Sequence, residues 1–150
     1  MPNWCNNQLT VIEAGHRLES FVQLEEFRSR SSSDNDLLIF SNLVPEPGRP
    51  NDDHYDPESW RGENWGTERE PKCDQIEEEP GTLRYQFVTA WSPPEAWVLK
   101  VSGIFPALLF DLEYDEPGIG YAGIRSFRGG IVIEETEIDI KEIYPHLEDE

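Results

Sequence analysis

Two periods of apolar residues run along this chain. In residues 8–13, Leu9 and Val11 fall on one side, with Ala14 just beyond and near it, and Thr10 and Ile12 fall on the other. β-branched residues on both faces suit a central strand, and Gly15 ends it. Residues 16–28 change to a helical period, with Leu18, Phe21, Val22 and Phe27 as the expected inward stripe and Glu19, Glu25 and Glu26 outside. The polar run 29–36 stops this helix, and Leu37-Leu38-Ile39-Phe40 predicts a short strand. Residues 45–80 nearly lack aliphatic side chains and are rich in Pro, Gly, Asp and Glu. They also hold Tyr55, Trp60 and Trp65, so they read as a long insertion anchored through its aromatics. Residues 83–90 alternate as a strand. Ser92 is the expected N-cap of a helix reaching about Ile104 and burying Trp97, Val98, Val101 and Ile104. Strands are expected at 108–115, 120–127 and 131–140, joined by turns at Pro117-Gly118 and Gly129-Gly130. The tail from His146 is expected to fray.

The resulting order is β, α, β, insertion, β, α, β and two further strands. Two β-α-β halves predict an α+β ferredoxin-like sandwich, β-α-β-β-α-β, with helices on one face of an antiparallel sheet. The long insertion and two extra C-terminal strands are added to one domain spanning residues 1–150, a length that one domain accommodates.

Charge changes the picture most. Asp and Glu number 31 against 12 Lys and Arg, a formal net charge of −19. Such a chain repels nucleic acid and anionic membranes, which require cationic neutralisation. Its natural counterparts are basic proteins or cations, and the bland alternative is a charge that serves solubility alone. Cys5 and Cys73 form no CxxC pair, so free thiols in a reducing compartment are expected. The N-terminus lacks the basic and apolar regions of a signal peptide, and no apolar run is long enough to span a membrane; a cytoplasmic protein is expected.

Four segments, in order, carry a resemblance. They are Met1-Pro2-Asn3-Trp4-Cys5-Asn6-Asn7, Glu63-Asn64-Trp65-Gly66-Thr67, Thr89-Ala90-Trp91-Ser92-Pro93-Pro94, and Tyr114-Asp115-Glu116-Pro117-Gly118 with Gly120-Tyr121-Ala122-Gly123. The chain resembles the YubB-like (Api92-like) ferredoxin-like domain proteins of phages, plasmids and prophages, a family of unknown function. The resemblance implies the ferredoxin-like fold and a mobile-element origin, and it supplies no catalytic residues. Relatives commonly carry Lys and then Trp after the Trp-Gly-Thr motif, where this chain has Glu68 and Arg69.

No catalytic, metal or cofactor site is expected. Asp52-Asp53-His54-Tyr55-Asp56 offers oxygen and imidazole ligands but lacks the spacing of an EF-hand loop, and a solvated acidic loop is the simpler reading. His16, His54 and His146 stand in no zinc motif. Cys5 begins a central strand, where a structural thiol is commoner than a nucleophile. The five tryptophans, Trp4, Trp60, Trp65, Trp91 and Trp97, would stack a ligand if they converged, and otherwise serve as core.

The leading expectation is a non-enzymatic acidic interaction protein. Its acidic face is expected at Glu134, Glu135, Glu137 and Asp139, with Glu77, Glu78 and Glu79. Its partner is expected to be a basic host protein that handles nucleic acid, which makes the chain an anti-defence (anti-CRISPR-like) inhibitor acting as a nucleic-acid mimic. Carboxylates alternating along a strand lie about 6–7 Å apart, close to successive phosphates. The competing explanation is an ordinary solvated edge strand. A second hypothesis is a small-ligand binder or enzyme with a pocket of Trp65, Trp91, Glu116 and Tyr121. A third is a structural accessory protein.

Overall fold

The structure, a computed structural model, describes residues 2–15, 17–47 and 55–145. The Asp52–His54 part of the proposed cation loop, all three histidines and the expected frayed tail lie outside these residues. The described chain folds in the order β1 (Trp4–Glu13), α1 (Leu18–Arg30), α2 (Pro57–Asn64), β2 (Lys72–Glu79), β3 (Thr82–Ala90), α3 (Glu95–Ile104), β4 (Leu108–Glu116), β5 (Tyr121–Arg128), β6 (Ile131–Ile138) and a single helical turn, α4 (Ile140–Ile143). The strands form one antiparallel sheet in the order β2-β3-β1-β4-β5-β6. The first four strands and helices α1 and α3 make the ferredoxin-like unit. β5 and β6 extend it beyond β4.

One face of the sheet is buried under α1 and α3. Leu9 and Val11 of β1, Tyr85 and Phe87 of β3, and Phe110 and Leu112 of β4 meet Phe27, Trp97, Val98 and Val101 there. Phe27 is the hub, with ring centroids 5.5–6.3 Å from Tyr85, Trp97, Phe105 and Phe110. The alternate residues of each strand point to the opposite face.

Several expectations are corrected. Leu37–Phe40 joins no strand. Leu38 and Phe40 are buried, and Phe40 opens a short 3-10 turn. Side chains and loop backbone satisfy its polar groups: the Ile39 amide donates to the Ser31 carbonyl (2.7 Å), the Trp97 indole donates to the Phe40 carbonyl (3.0 Å), and the amides of Phe40 and Ser41 donate to the Glu70 carboxylate. The second strand of the fold is instead β2, inside the segment expected to be an irregular insertion, which also contains α2. On α1 the inward residues are Ser20, Leu24 and Phe27, while Leu18, Phe21 and Val22 face solvent at 77%, 53% and 50% exposure. Ser92 does not cap α3; its hydroxyl donates to the Gly66 carbonyl, and the helix begins at Glu95. Ile104 is exposed rather than buried. Among the described residues no helix is long and apolar enough to cross a membrane.

Candidate functional site

The face of the sheet away from α1 and α3 is polar, and among the described residues only the segment around Ile143 and Tyr144, at the end of α4, reaches over it beside Asp115. Cross-strand pairing aligns its residues in rows. One row reads Glu77, Arg84, Thr10, Asp111, Ser126, Glu134, and the next reads Gln86, Gln8, Glu113, Ile124, Thr136. A third places Asn6 beside Asp115 and Ala122. β4 therefore carries Asp111, Glu113 and Asp115 on this face, about 6–7 Å apart along the strand. Each is held by a neutral donor. Ser126 donates to Asp111 (2.6 Å), Gln8 to Glu113 (3.1 Å), and both Asn6 and the Tyr144 hydroxyl to Asp115 (3.0 Å each). The salt bridges among the described residues involve none of the three, and none involves Glu134. These carboxylates are fixed in place without an ion pair among the described residues.

The acidic runs singled out from the sequence are divided by the same alternation. β2 and β6 are opposite edges of the sheet, about 24 Å apart at five strand spacings. Glu77, Glu79 and Glu134 share the open face with the β4 carboxylates. Glu78 and Glu135 point to the helix side, where Arg28 pairs with Glu78 (2.6 Å) and Arg125 with Glu135 (3.5 Å). Glu137, also on the helix side, lines a cavity beside α3. Asp139 accepts the Lys141 amide and caps α4. Sequence reasoning passed over Asp111, Glu113 and Asp115 as site residues, although their signal was present: every polar position of an alternating strand is acidic there.

The proposed pocket residues come together only in part. Trp65 is fully buried and donates its indole N–H to the Val44 carbonyl (2.9 Å), so it holds the chain before and after α2 to the core. Glu116 is also buried. It accepts the amides of Gly118 (3.0 Å) and Ile119, fixing the turn into β5. Trp91 is 41% exposed, and its backbone has φ +70°, a left-handed conformation costly for a bulky residue. Hydrogen bonds hold it there: the Trp91 amide donates to the Asn3 carbonyl (2.8 Å), and the Tyr121 hydroxyl donates to the Trp91 carbonyl (2.7 Å). Tyr121 lines a cavity of about 620 Å³ with Ser92, Glu95, Tyr114, Arg125 and Glu137. The four sequence segments that carry the resemblance thus meet at one end of the sheet, joined further by Thr67 donating to the Ala90 carbonyl (2.8 Å). The five tryptophans do not line one groove: Trp65 and Trp97 are core, and Trp4 lies under the Lys72 ammonium (4.4 Å).

Burial pushes the Cys5 thiol up to about 12, and the nearby Asp115 charge adds to this. Burial raises Tyr121 as well, with Cys5 and Glu116 contributing. A thiol so disposed stays protonated near neutrality and is a poor nucleophile. Among the described residues no group of three His, Cys, Asp or Glu side chains is arranged to hold a metal ion.

The family model for the ferredoxin-like domain in Api92-like protein matches residues 64–150. Among solved structures, the crystal structure of a protein Api92 from Yersinia pseudotuberculosis is similar, with a TM-score of 0.60 and 10% sequence identity, over 92% of this chain and 98% of that one. No curated protein matches the sequence.

Proposed function

The chain belongs to the Api92-like family of ferredoxin-like domains, and from that premise we propose that it is a non-enzymatic, cytoplasmic interaction protein whose open sheet face binds a basic, nucleic-acid-handling protein. The observation that carries this reading is the line of Asp111, Glu113 and Asp115. These carboxylates are ordered by neutral donors, have no ion pair among the described residues, and are set within a chain of net charge −19. Glu134 on one rim extends the same field. On the other rim Arg84 offsets part of it through Glu77 and Glu79. A groove built to follow phosphates would meet a rigid row of anions at comparable spacing. Host defence effectors that handle nucleic acid, CRISPR effectors among them, are the partner class that suits a protein of mobile-element origin.

Charge-led association is steered at long range and weakened by salt. Affinity capture from host lysate is therefore expected to recover a nucleic-acid-binding protein at low ionic strength and to lose it at high. Recovery of no such protein at low salt would leave the reading without support.

A second reading, a small-ligand site, is favoured by one feature: the strained Trp91 and the cavity beside Tyr121 lie where the four motif segments meet. Ligand-induced quenching of Trp91 fluorescence, absent in Trp91→Phe, would favour it over the first.

A further inference from the structure

The two free edges of the sheet differ in how their charge is treated. Along β2, Arg28 pairs with Glu78, and Arg84 reaches Glu77 (3.2 Å) and Glu79 (4.0 Å). Pro71 and Pro80 flank the strand, and a bulge breaks it between Cys73 and Gln75. That edge has part of its charge offset and is flanked by prolines, devices that discourage new strand partners. β6 is not. Ile131, Val132 and Ile133 are 62%, 43% and 50% exposed. Among the described residues, Glu134 and Glu137 have no ion-pair partner, and Glu135 is shared with Arg125. A bulge sets Ile133 apart, but residues 134–138 pair regularly with β5. Every other residue of that stretch turns its N–H and C=O away from β5, toward an edge that carries no further strand among the described residues.

A second copy of the chain is a poor occupant. Antiparallel pairing of two β6 strands brings glutamates against glutamates or against the isoleucines, between molecules that each carry −19. A strand of opposite charge meets no such penalty. We propose that the free edge of β6 receives an extended segment of the basic partner as a seventh, antiparallel strand. The segment carries lysine or arginine first, opposite residues 137–134, and aliphatic residues next, against Ile133, Val132 and Ile131. Main-chain bonds supply affinity in such strand addition, and alternate side chains supply specificity. This inference rests on the proposed acidic interaction function and names the element of the partner that would be held.

The probe is a synthetic peptide, Lys-Thr-Lys-Thr-Ile-Val-Ile, with two further versions N-methylated at the odd or at the even residues. Each is titrated into the isotopically labelled full chain at about 0.01 M ionic strength, where the Debye length is about 30 Å. The parent peptide is expected to shift the amides of residues 134–137 and to protect those among them that face the free edge. One methylated version is expected to bind at least about tenfold more weakly while the other binds like the parent, because only one set of amides faces the edge. Glu134→Lys with Glu137→Lys is expected to weaken the parent peptide to a similar degree with an unchanged circular dichroism spectrum. Equal binding of all three peptides would overturn strand addition and leave a purely electrostatic contact. No binding by any of them would overturn the edge assignment. The open-face reading is judged separately, through neutralisation of the β4 carboxylates, to which this peptide should be insensitive.

Discussion

Replacing Trp91 by alanine and by glycine separates what its side chain contributes from what its backbone costs. The residue sits at φ +70° and is 41% exposed. Full burial of a large aromatic is worth about 2–3 kcal/mol, so losing this partly buried ring costs about 1–2 kcal/mol in either variant. The left-handed conformation costs a residue with a Cβ about 1–2 kcal/mol, and glycine escapes it. Glycine returns roughly 0.5–1 kcal/mol of that gain as added chain entropy in the unfolded state. Trp91→Gly should therefore be more stable than Trp91→Ala by about 1 kcal/mol, which corresponds to about 2–4 °C in Tm at this size. Urea denaturation followed by far-ultraviolet circular dichroism measures the difference without relying on tryptophan emission. An alanine variant as stable as the glycine variant, or more so, would show that the backbone at Trp91 is not held left-handed. The strain assigned to this end of the sheet would then be absent.

Three further outcomes follow from the packing and the charges. Phe27→Ala removes the hub of the aromatic core and should cost about 3–5 kcal/mol, whereas Phe21→Ala, on the solvent side of the same helix, should stay within about 0.5 kcal/mol; chemical denaturation of both variants checks which face of α1 is inward. Gly66 has φ +88°, and a Cβ there would meet the Glu95 amide and Pro93 carbonyl at 2.9 Å, so Gly66→Ala should destabilise by about 2–5 kcal/mol in the same assay. Burial raises the Glu95 carboxyl above its ordinary value, Arg125 pulls it back and Glu135 raises it again. The folded chain thus holds this proton more tightly than the unfolded chain, and the stability it brings below about 4.5 is lost as pH rises through the folded-state value. Glu95→Gln should flatten the fall of Tm between pH 4 and 6, and an unchanged slope would contradict the assignment.

The elements with regular periods were legible in the sequence. β1, with β-branched residues on both faces, lies in the middle of the sheet between β3 and β4. Leu108 to Glu116 alternates into and out of the core as its pattern predicts. β2 was illegible because Lys72–Glu79 has only Cys73 and Ile76 as apolar residues; its strand state comes from the ladder that β3 offers, a tertiary contribution that local propensity does not contain. Leu37–Phe40 misled in the opposite sense. Leu38 and Phe40 are buried as an apolar run should be, but turn, loop, indole and carboxylate groups satisfy its backbone in place of a neighbouring strand. α1 carries apolar residues on two opposite faces, and the row of Ser20, Leu24 and Phe27 was the inward one. The carboxylates of β4 were overlooked for a related reason. Consecutive glutamates attract notice in a sequence, but a strand sends consecutive residues to opposite faces. The three carboxylates that share a face, Asp111, Glu113 and Asp115, are separated by Leu112 and Tyr114, which belong to the core.

The most direct test of the acidic-face reading is competition for the captured partner between this chain and a nucleic-acid duplex, repeated with Asp111→Asn, Glu113→Gln and Asp115→Asn combined. Displacement of the wild-type chain by the duplex is predicted, together with a loss of at least about tenfold in partner affinity for the combined variant and a shallower salt dependence. A combined variant that keeps both its affinity and its salt dependence, or a partner that binds the chain and the duplex simultaneously, would contradict it.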